Sequence, residues 1–285
     1  MKSNNKSIKK SKKKSNIVLY IAIFAIVGFG AAFAYYAYDY YMWLRDGRIA
    51  QESSDAMRDM FSDQMQSIND IVALSVPQTE SEDWEESTEP MFFGTSPLDE
   101  ARAMMNNPDI VAYIYIDGTN INNVVVQGPD NSRYLYVDAF GNSNANGAIF
   151  MDYRNNIDFS DPNTVIYGHN MRNGTMFHNL RYYMDRSFLD AHPHIKIITD
   201  DNVMIYEVFS VFSTRIDFYY IQVEFGSQEE FGELVDEIIR RSVHNVGITA
   251  SADDNILVLS TCTNAEIDTR YVVVGRLAQT IEIVR

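Results

Sequence analysis

"ILVLSTCTNAEIDTRYVVVG", residues Ile256 to Gly275, is two apolar runs joined by a short polar connection. The first climbs to Ser260, Thr261 and Cys262, and Arg270 opens the second. Runs of this kind read as buried strands, and so short a connection makes them antiparallel neighbours. Arg270 then returns beside Cys262 at one end of the sheet. The same texture extends upstream to Ile110: IVAYIYI, NNVVVQ, RYLYVD, GAIFMD, NTVIYG, HIKIIT and NVMIYEVFSVF precede this pair, and QTIEIV follows it. Asp117-Gly118, Gly128-Pro129 and Asn146-Gly147 punctuate the runs as turns. Many short strands at close spacing define a barrel or a sandwich. Two helical breaks interrupt them, Met176 to Met184 and Gln228 to Ser242. In the second, Phe231, Leu234, Ile238 and Ile239 share a face.

Farther upstream the pattern changes. Ser96 to Glu100 reads as a helix start, with Ser96 as N-cap and acids in the first turn. Met57, Phe61, Met65, Ile68 and Val72 recur every three or four residues, the spacing of an amphipathic helix over Arg48 to Val76. Between them Thr79 to Pro90 carries six acids and no base, which reads as a solvated linker. Ile17 to Tyr38 is 22 residues without a charge. At roughly 1.5 Å per helical residue it can cross a hydrocarbon core of about 30 Å. Ala32-Phe33-Ala34 resembles a signal-peptide cleavage site, yet the run exceeds the usual length of a signal h-region, so it reads as an uncleaved anchor. The expected organisation is a basic tail over 1–16, an anchor over 17–38, a helical and acidic linker over 39–95 and a β-rich body over 96–285.

Charge agrees with a membrane setting. Seven of the eight lysines lie between Lys2 and Lys14, and the formal net charge is −16, leaving −23 downstream of that tail. Lysines before the apolar run and Asp39 after it place the N-terminus in the cytoplasm and the body outside. Tyr35, Tyr36, Tyr38, Tyr40, Tyr41 and Trp43 form an aromatic belt at the outer interface. So acidic a body is not a nucleic-acid-binding surface, which needs clustered cations to displace counterions from phosphate.

One cysteine forms no internal disulfide. A lone thiol is either buried filler or a nucleophile, and a nucleophile needs a partner to support its anion or move protons. Of the five histidines, His178 reads as a surface residue in the helix after Gly174, and His244 follows a helix end and suits its C-terminal dipole. The pair His192 and His194 raises metal binding, but no second cluster of ligands completes a site, and none is expected. His169 differs, because it follows the apolar run Val165–Tyr167 and the flexible Gly168 as Cys262 follows Ile256–Leu259. Two strand ends thus deliver the thiol and the imidazole. Cys, His and Arg together suit acyl transfer through a thioester: thiolate attack, proton donation by imidazolium, and guanidinium hydrogen bonds to the oxyanion. A core histidine and a structural arginine would give the same letters.

These residues resemble those of class B sortases, the membrane-anchored cysteine transpeptidases of Gram-positive bacteria. "LSTCT" with Arg270 downstream is similar to the family's active-site signature, and "YGHNM", Tyr167 to Met171, to its histidine segment. "NPDIVAYIYIDGTNINNVVVQG" and "GAIFMDYRN" resemble its first strands. The resemblance runs from about Ser96 to Arg285. It implies a mainly β fold, a closed eight-stranded barrel with helical insertions. It also implies a Cys262 nucleophile, a His169 acid/base, Arg270 beside them, and no cofactor. Such an enzyme cleaves a C-terminal sorting signal after threonine and transfers the surface protein to a peptidoglycan amine. Ser260 and Thr261 are candidate substrate-binding residues, and a strand-end hydroxyl bonded to backbone is the alternative for Ser260. Two other readings stand beside it, a pilin-polymerising sortase and a membrane-tethered binding module without catalysis. The connection Ser213 to Val223 and the helix after it are expected to shape the substrate groove.

Overall fold

The computed structural model describes residues 4–62, 65–66, 68–69, 91–92, 96, 98–262 and 269–284. Val72 and the acidic run Thr79–Pro90 lie outside them. The chain divides into two compact units, Met1–Asp46 and Gly47–Arg285. The first unit is helical, formed by the leading part of helix α1 (Asn4–Met60). Ile21, Phe24, Phe29 and Phe33 project into the open around it. From Leu19 this helix is long and apolar enough to cross a membrane. Tyr40 and Trp43 stack near the end of this unit with ring centroids 5.9 Å apart.

The second unit is built on a barrel. Its strands are β2 (Ile110–Tyr115), β3 (Asn122–Gln127), β4 (Ile149–Met151), β5 (Asn163–His169), β6 (His194–Ile198), β7 (Asn202–Arg215), β8 (Ile256–Cys262) and β9 (Thr269–Val284). Around the sheet the order is β9-β7-β6-β2-β3-β4-β5-β8, and β8 pairs back onto β9. That last pairing closes eight strands and decides for a barrel over a sandwich. A two-residue strand, β1 (Met91–Phe92), adds in parallel to the end of β9, Met91 opposite Ile283.

Both faces of the sheet are covered, so the strands read as continuous apolar runs rather than alternating ones. Every residue of β5 is buried. One face, with Tyr113, Tyr167 and Val258, packs against Met57 of α1, against Phe61 just beyond its end, and against Phe231, Val235 and Ile238. The last three belong to α4 (Gln228–Arg241), which starts on a cap in which Ser227 accepts from the Glu230 N–H. Phe61 stacks on Tyr113 at 4.0 Å between centroids. The other face, with Ile166, Leu257 and Leu259, packs against Phe177, Leu180 and Tyr183 of a 3-10 helix over Phe177–Met184.

Three local readings of the sequence differ from the structure. RYLYVD is not a strand. The Asp130 carboxylate accepts the backbone N–H groups of Ser132 and Arg133, and this turn drives Arg133–Leu135 into a 3-10 helix. RYVVVGRL and QTIEIV are one strand, because the 16 residues of β9 pair along the whole of β7. Ser96 does not cap the helix that follows, α2 (Asp99–Met105), whose N-cap position is Leu98. Ser96 instead donates its hydroxyl to Asp200 and accepts from the Leu98 N–H at 3.2 Å. A short helix, α3 (Arg186–Ala191), leads to β6.

Candidate active site

Barrel closure puts β8 between β5 and β9. With β5 it runs parallel and in register from Asn163 opposite Ile256 to His169 opposite Cys262. With β9 it runs antiparallel, Ser260 opposite Val272. Two residues beyond Ser260 is Cys262 and two before Val272 is Arg270, so the same register carried to the strand ends sets these two opposite each other. The Tyr271 N–H donates to Thr261 Oγ1 at 3.0 Å between them. His169, Cys262 and Arg270 therefore end three adjacent strands, each about 4.8 Å from the next.

The imidazole of His169 is 2% exposed. Its Nε2 lies 2.7 Å from the Leu135 carbonyl oxygen. A carbonyl only accepts, so Nε2 carries the hydrogen and the neutral ring keeps its lone pair on Nδ1. Nδ1 is buried and has no hydrogen-bond partner among the described residues. The Tyr136 ring tilts against the imidazole at 6.3 Å, and Tyr136 itself is 60% exposed. Gly168, read from the sequence as a flexible point, lies within β5 and serves close packing. A Cβ there would sit 2.8 Å from Cγ of Phe177.

Two positions back along the strands, Tyr167 pairs with Ser260, on the sheet face shared with His169. The Ser260 hydroxyl is buried and bonds Tyr220 Oη at 2.8 Å. Tyr167 donates to Asp152 Oδ2 at 2.8 Å. Asp152 has no exposed surface and also accepts from Arg154 Nε and Nη2 at 2.8 and 2.7 Å, and from Asn131 Nδ2 at 2.9 Å. Burial by itself would raise the Asp152 carboxyl. The Arg154 guanidinium, with the other hydrogen bonds it accepts, outweighs that and holds it below the usual range. Burial, then the neighbouring carboxylate, pushes the Tyr167 phenol well up.

Arg154 reaches farther, donating to Tyr219 Oη at 2.9 Å and the Ile221 carbonyl at 3.0 Å. Asn163 Nδ2 donates to the Tyr220 and Gln222 carbonyls at 3.1 and 2.7 Å. The connection from β7 to α4 is thus laced to β5 and to the β4–β5 turn. Thr261 is buried and engaged by the Tyr271 amide, and Ser260 by a tyrosine rather than by backbone. Residues 263–268, in the connection between β8 and β9, lie outside the described residues.

The remaining histidines are held elsewhere. His178 Nδ1 meets Asn170 Oδ1 at 3.1 Å, His244 Nε2 meets the Tyr183 carbonyl at 2.9 Å, and His192 packs on Phe188. His194 opens β6, opposite Glu207 of β7. Sequence reasoning missed the Leu135 carbonyl and the Asp152–Arg154 pair, and named Tyr220 only as part of the connection Ser213 to Val223. A signal existed for the pair, since both residues fall within GAIFMDYRN.

A closed eight-stranded barrel with Cys, His and Arg at three adjoining strand ends is a scaffold for thiol acyl transfer. A family model described as the sortase domain matches residues 114–278. Sortase B of Listeria monocytogenes serovar 1/2a is 39% identical over 165 residues, 58% of this chain and 67% of that protein. Sortase B of Staphylococcus aureus (strain NCTC 8325) is 35% identical over 173 residues, 60% of this chain and 71% of that one. A Staphylococcus aureus sortase B–substrate complex superposes with TM-score 0.61 at 34% identity, covering 65% of this chain and 86% of that chain. Sortase B from Listeria monocytogenes does so with TM-score 0.57 at 36% identity, covering 62% and 99%. The chain belongs to the sortase family of cysteine transpeptidases. Within that family its relatives in sequence and in structure are class B enzymes, and it stands with them.

Proposed function

We propose that this sortase is anchored by α1 with its N-terminus in the cytoplasm, cleaves a C-terminal sorting signal after threonine, and transfers the surface protein to a peptidoglycan amine. Cys262 is the nucleophile. Its thiolate attacks the scissile carbonyl, and the tetrahedral oxyanion takes hydrogen bonds from the Arg270 guanidinium. The imidazolium of His169 gives its Nδ1 proton to the departing amine as the C–N bond breaks, leaving a thioester on Cys262. The acceptor amine then attacks the thioester, His169 Nδ1 takes a proton from it, and the new amide departs as the thiolate is regenerated.

The observation that carries this reading is the register of His169 opposite Cys262, with Nδ1 held back from other partners among the described residues. Relatives support the two substrates: one solved sortase B is a substrate complex, and another is complexed with triglycine. Lysines before the apolar helix and the acidic body after it support the orientation. The helix from Leu19 supports the anchor.

The test is cleavage of a quenched Thr-containing sorting peptide by full-length protein in detergent. Cys262→Ala and His169→Ala are each expected to abolish cleavage while the fold survives. Full activity in the Cys262→Ala protein would sink the proposal. Mass spectrometry of the product, with a glycine peptide and a lysine side chain as competing donors, separates wall anchoring from pilin polymerisation.

A further inference from the structure

One ring nitrogen of His169, Nε2, is bound by a backbone carbonyl, not by a side chain. In Cys–His and Ser–His enzymes a carboxylate or carboxamide usually fills this orienting place. A carbonyl does the same work only if its own position is fixed. The segment carrying it is zipped to a second one on both sides of Leu135. The Ala148 N–H donates to the Tyr134 carbonyl at 2.9 Å, and the Asn144 N–H donates to the Tyr136 carbonyl at 3.0 Å. The carbonyl between these two, that of Leu135, is the one that accepts from His169.

The second segment closes tightly because Gly147 adopts φ +58°, a left-handed conformation that side chains disfavour. A Cβ at Gly147 would lie 2.7 Å from the Leu135 oxygen and closer still to the Tyr134 oxygen. Buried Asn144 holds the turn from behind: its Oδ1 accepts from the Asn146 N–H at 2.9 Å, and its Nδ2 donates to Asp138 at 3.3 Å.

We propose that Gly147 is a positioning residue for transpeptidation: by leaving room for the Leu135 carbonyl it fixes the His169 ring with Nε2–H pinned and Nδ1 presented to the Cys262 strand end. Gly147 itself touches no reacting atom. The inference rests on His169 as the acid/base of the proposed reaction, but its geometry can be read without that reaction.

Full-length protein with 15N-labelled histidine provides the test. In the parent, the His169 Nε2–H proton is expected as a downfield resonance in slow exchange with water. Gly147→Ala is expected to broaden or shift that resonance and to lower kcat on the order of tenfold, a part of what general acid–base catalysis contributes. KM should stay within twofold. A second variant covers failure of Gly147→Ala to fold. Replacing Tyr136 by its α-hydroxy acid turns the bond after Leu135 into an ester, whose carbonyl is a weaker acceptor. It should move the same resonance and lower kcat in the same direction. An unchanged ring proton with kcat within twofold of the parent, in whichever variant folds, overturns the proposal. If the parent shows no transpeptidation at all, the ring resonance still decides the geometric claim, so the two failures are distinguishable.

Discussion

Replacing Asp152 by Asn tests the polar layer beneath the candidate active site. The carboxylate is fully buried and accepts from Arg154 three times (Nε, Nη2 and the backbone N–H), from Tyr167 Oη and from Asn131 Nδ2. Asparagine keeps the shape and one acceptor oxygen but turns a donor toward groups that are donors themselves. It also removes the charge partner of a guanidinium whose side chain is only 26% exposed. Breaking a buried pair costs about 3–5 kcal/mol. Arg154 retains Tyr219, the Ile221 carbonyl and some solvent, so the low end, about 3 kcal/mol, applies. For a unit of this size each kcal/mol moves the midpoint by about 2–4 °C, giving a fall of about 6–12 °C.

Thermal melts of full-length protein in detergent at pH 7 measure this. Asp152 is held below the usual carboxylate range in the fold, so its stabilisation is complete above the unfolded value of about 3.9 and is lost as pH falls through the folded one. The gap between parent and variant should therefore narrow below about pH 4. A difference under 2 °C at pH 7, or a gap that stays constant into acid, would refute this account of Asp152.

Gly168→Ala should cost about 1–3 kcal/mol by overpacking, since the added methyl meets the rigid ring of Phe177 at 2.8 Å rather than a yielding chain end. The same melts check it, and an unchanged midpoint would show that the ring moves freely. Tyr220→Phe should cost about 1–2 kcal/mol, because it leaves the buried Ser260 hydroxyl without its partner. It should also raise KM for the sorting peptide more than it lowers kcat, since Tyr220 sits in the connection tied to β5 and the β4–β5 turn; steady-state kinetics separate the two.

The barrel was legible because its strands are buried on both faces and read as unbroken apolar runs between turn residues. RYLYVD misled for the same reason. Its apolar letters match a strand, while the Asp130 carboxylate three residues earlier bends the backbone into a 3-10 turn. The one long strand β9 was split at Ala278 because its polar positions look like a turn, but the partner β7 supplies the register through them. Cys262, His169 and Arg270 stood out as reactive letters at strand ends. Their adjacency needed barrel closure, which no local pattern encodes. The Leu135 carbonyl had no sequence signature, since every residue carries one. It becomes specific only when Gly147 folds over it and β5 ends beneath it.

The most direct test of the account is to trap the acyl-enzyme. Full-length protein mixed with a Thr-containing sorting peptide and no amine acceptor should gain the mass of the peptide up to threonine. Fragmentation should place that mass on Cys262, and hydroxylamine should remove it. The Cys262→Ala protein should show no adduct and no cleavage. Cleavage by the Cys262→Ala protein, or an adduct mapping to another residue, would contradict the assignment of Cys262 as the nucleophile.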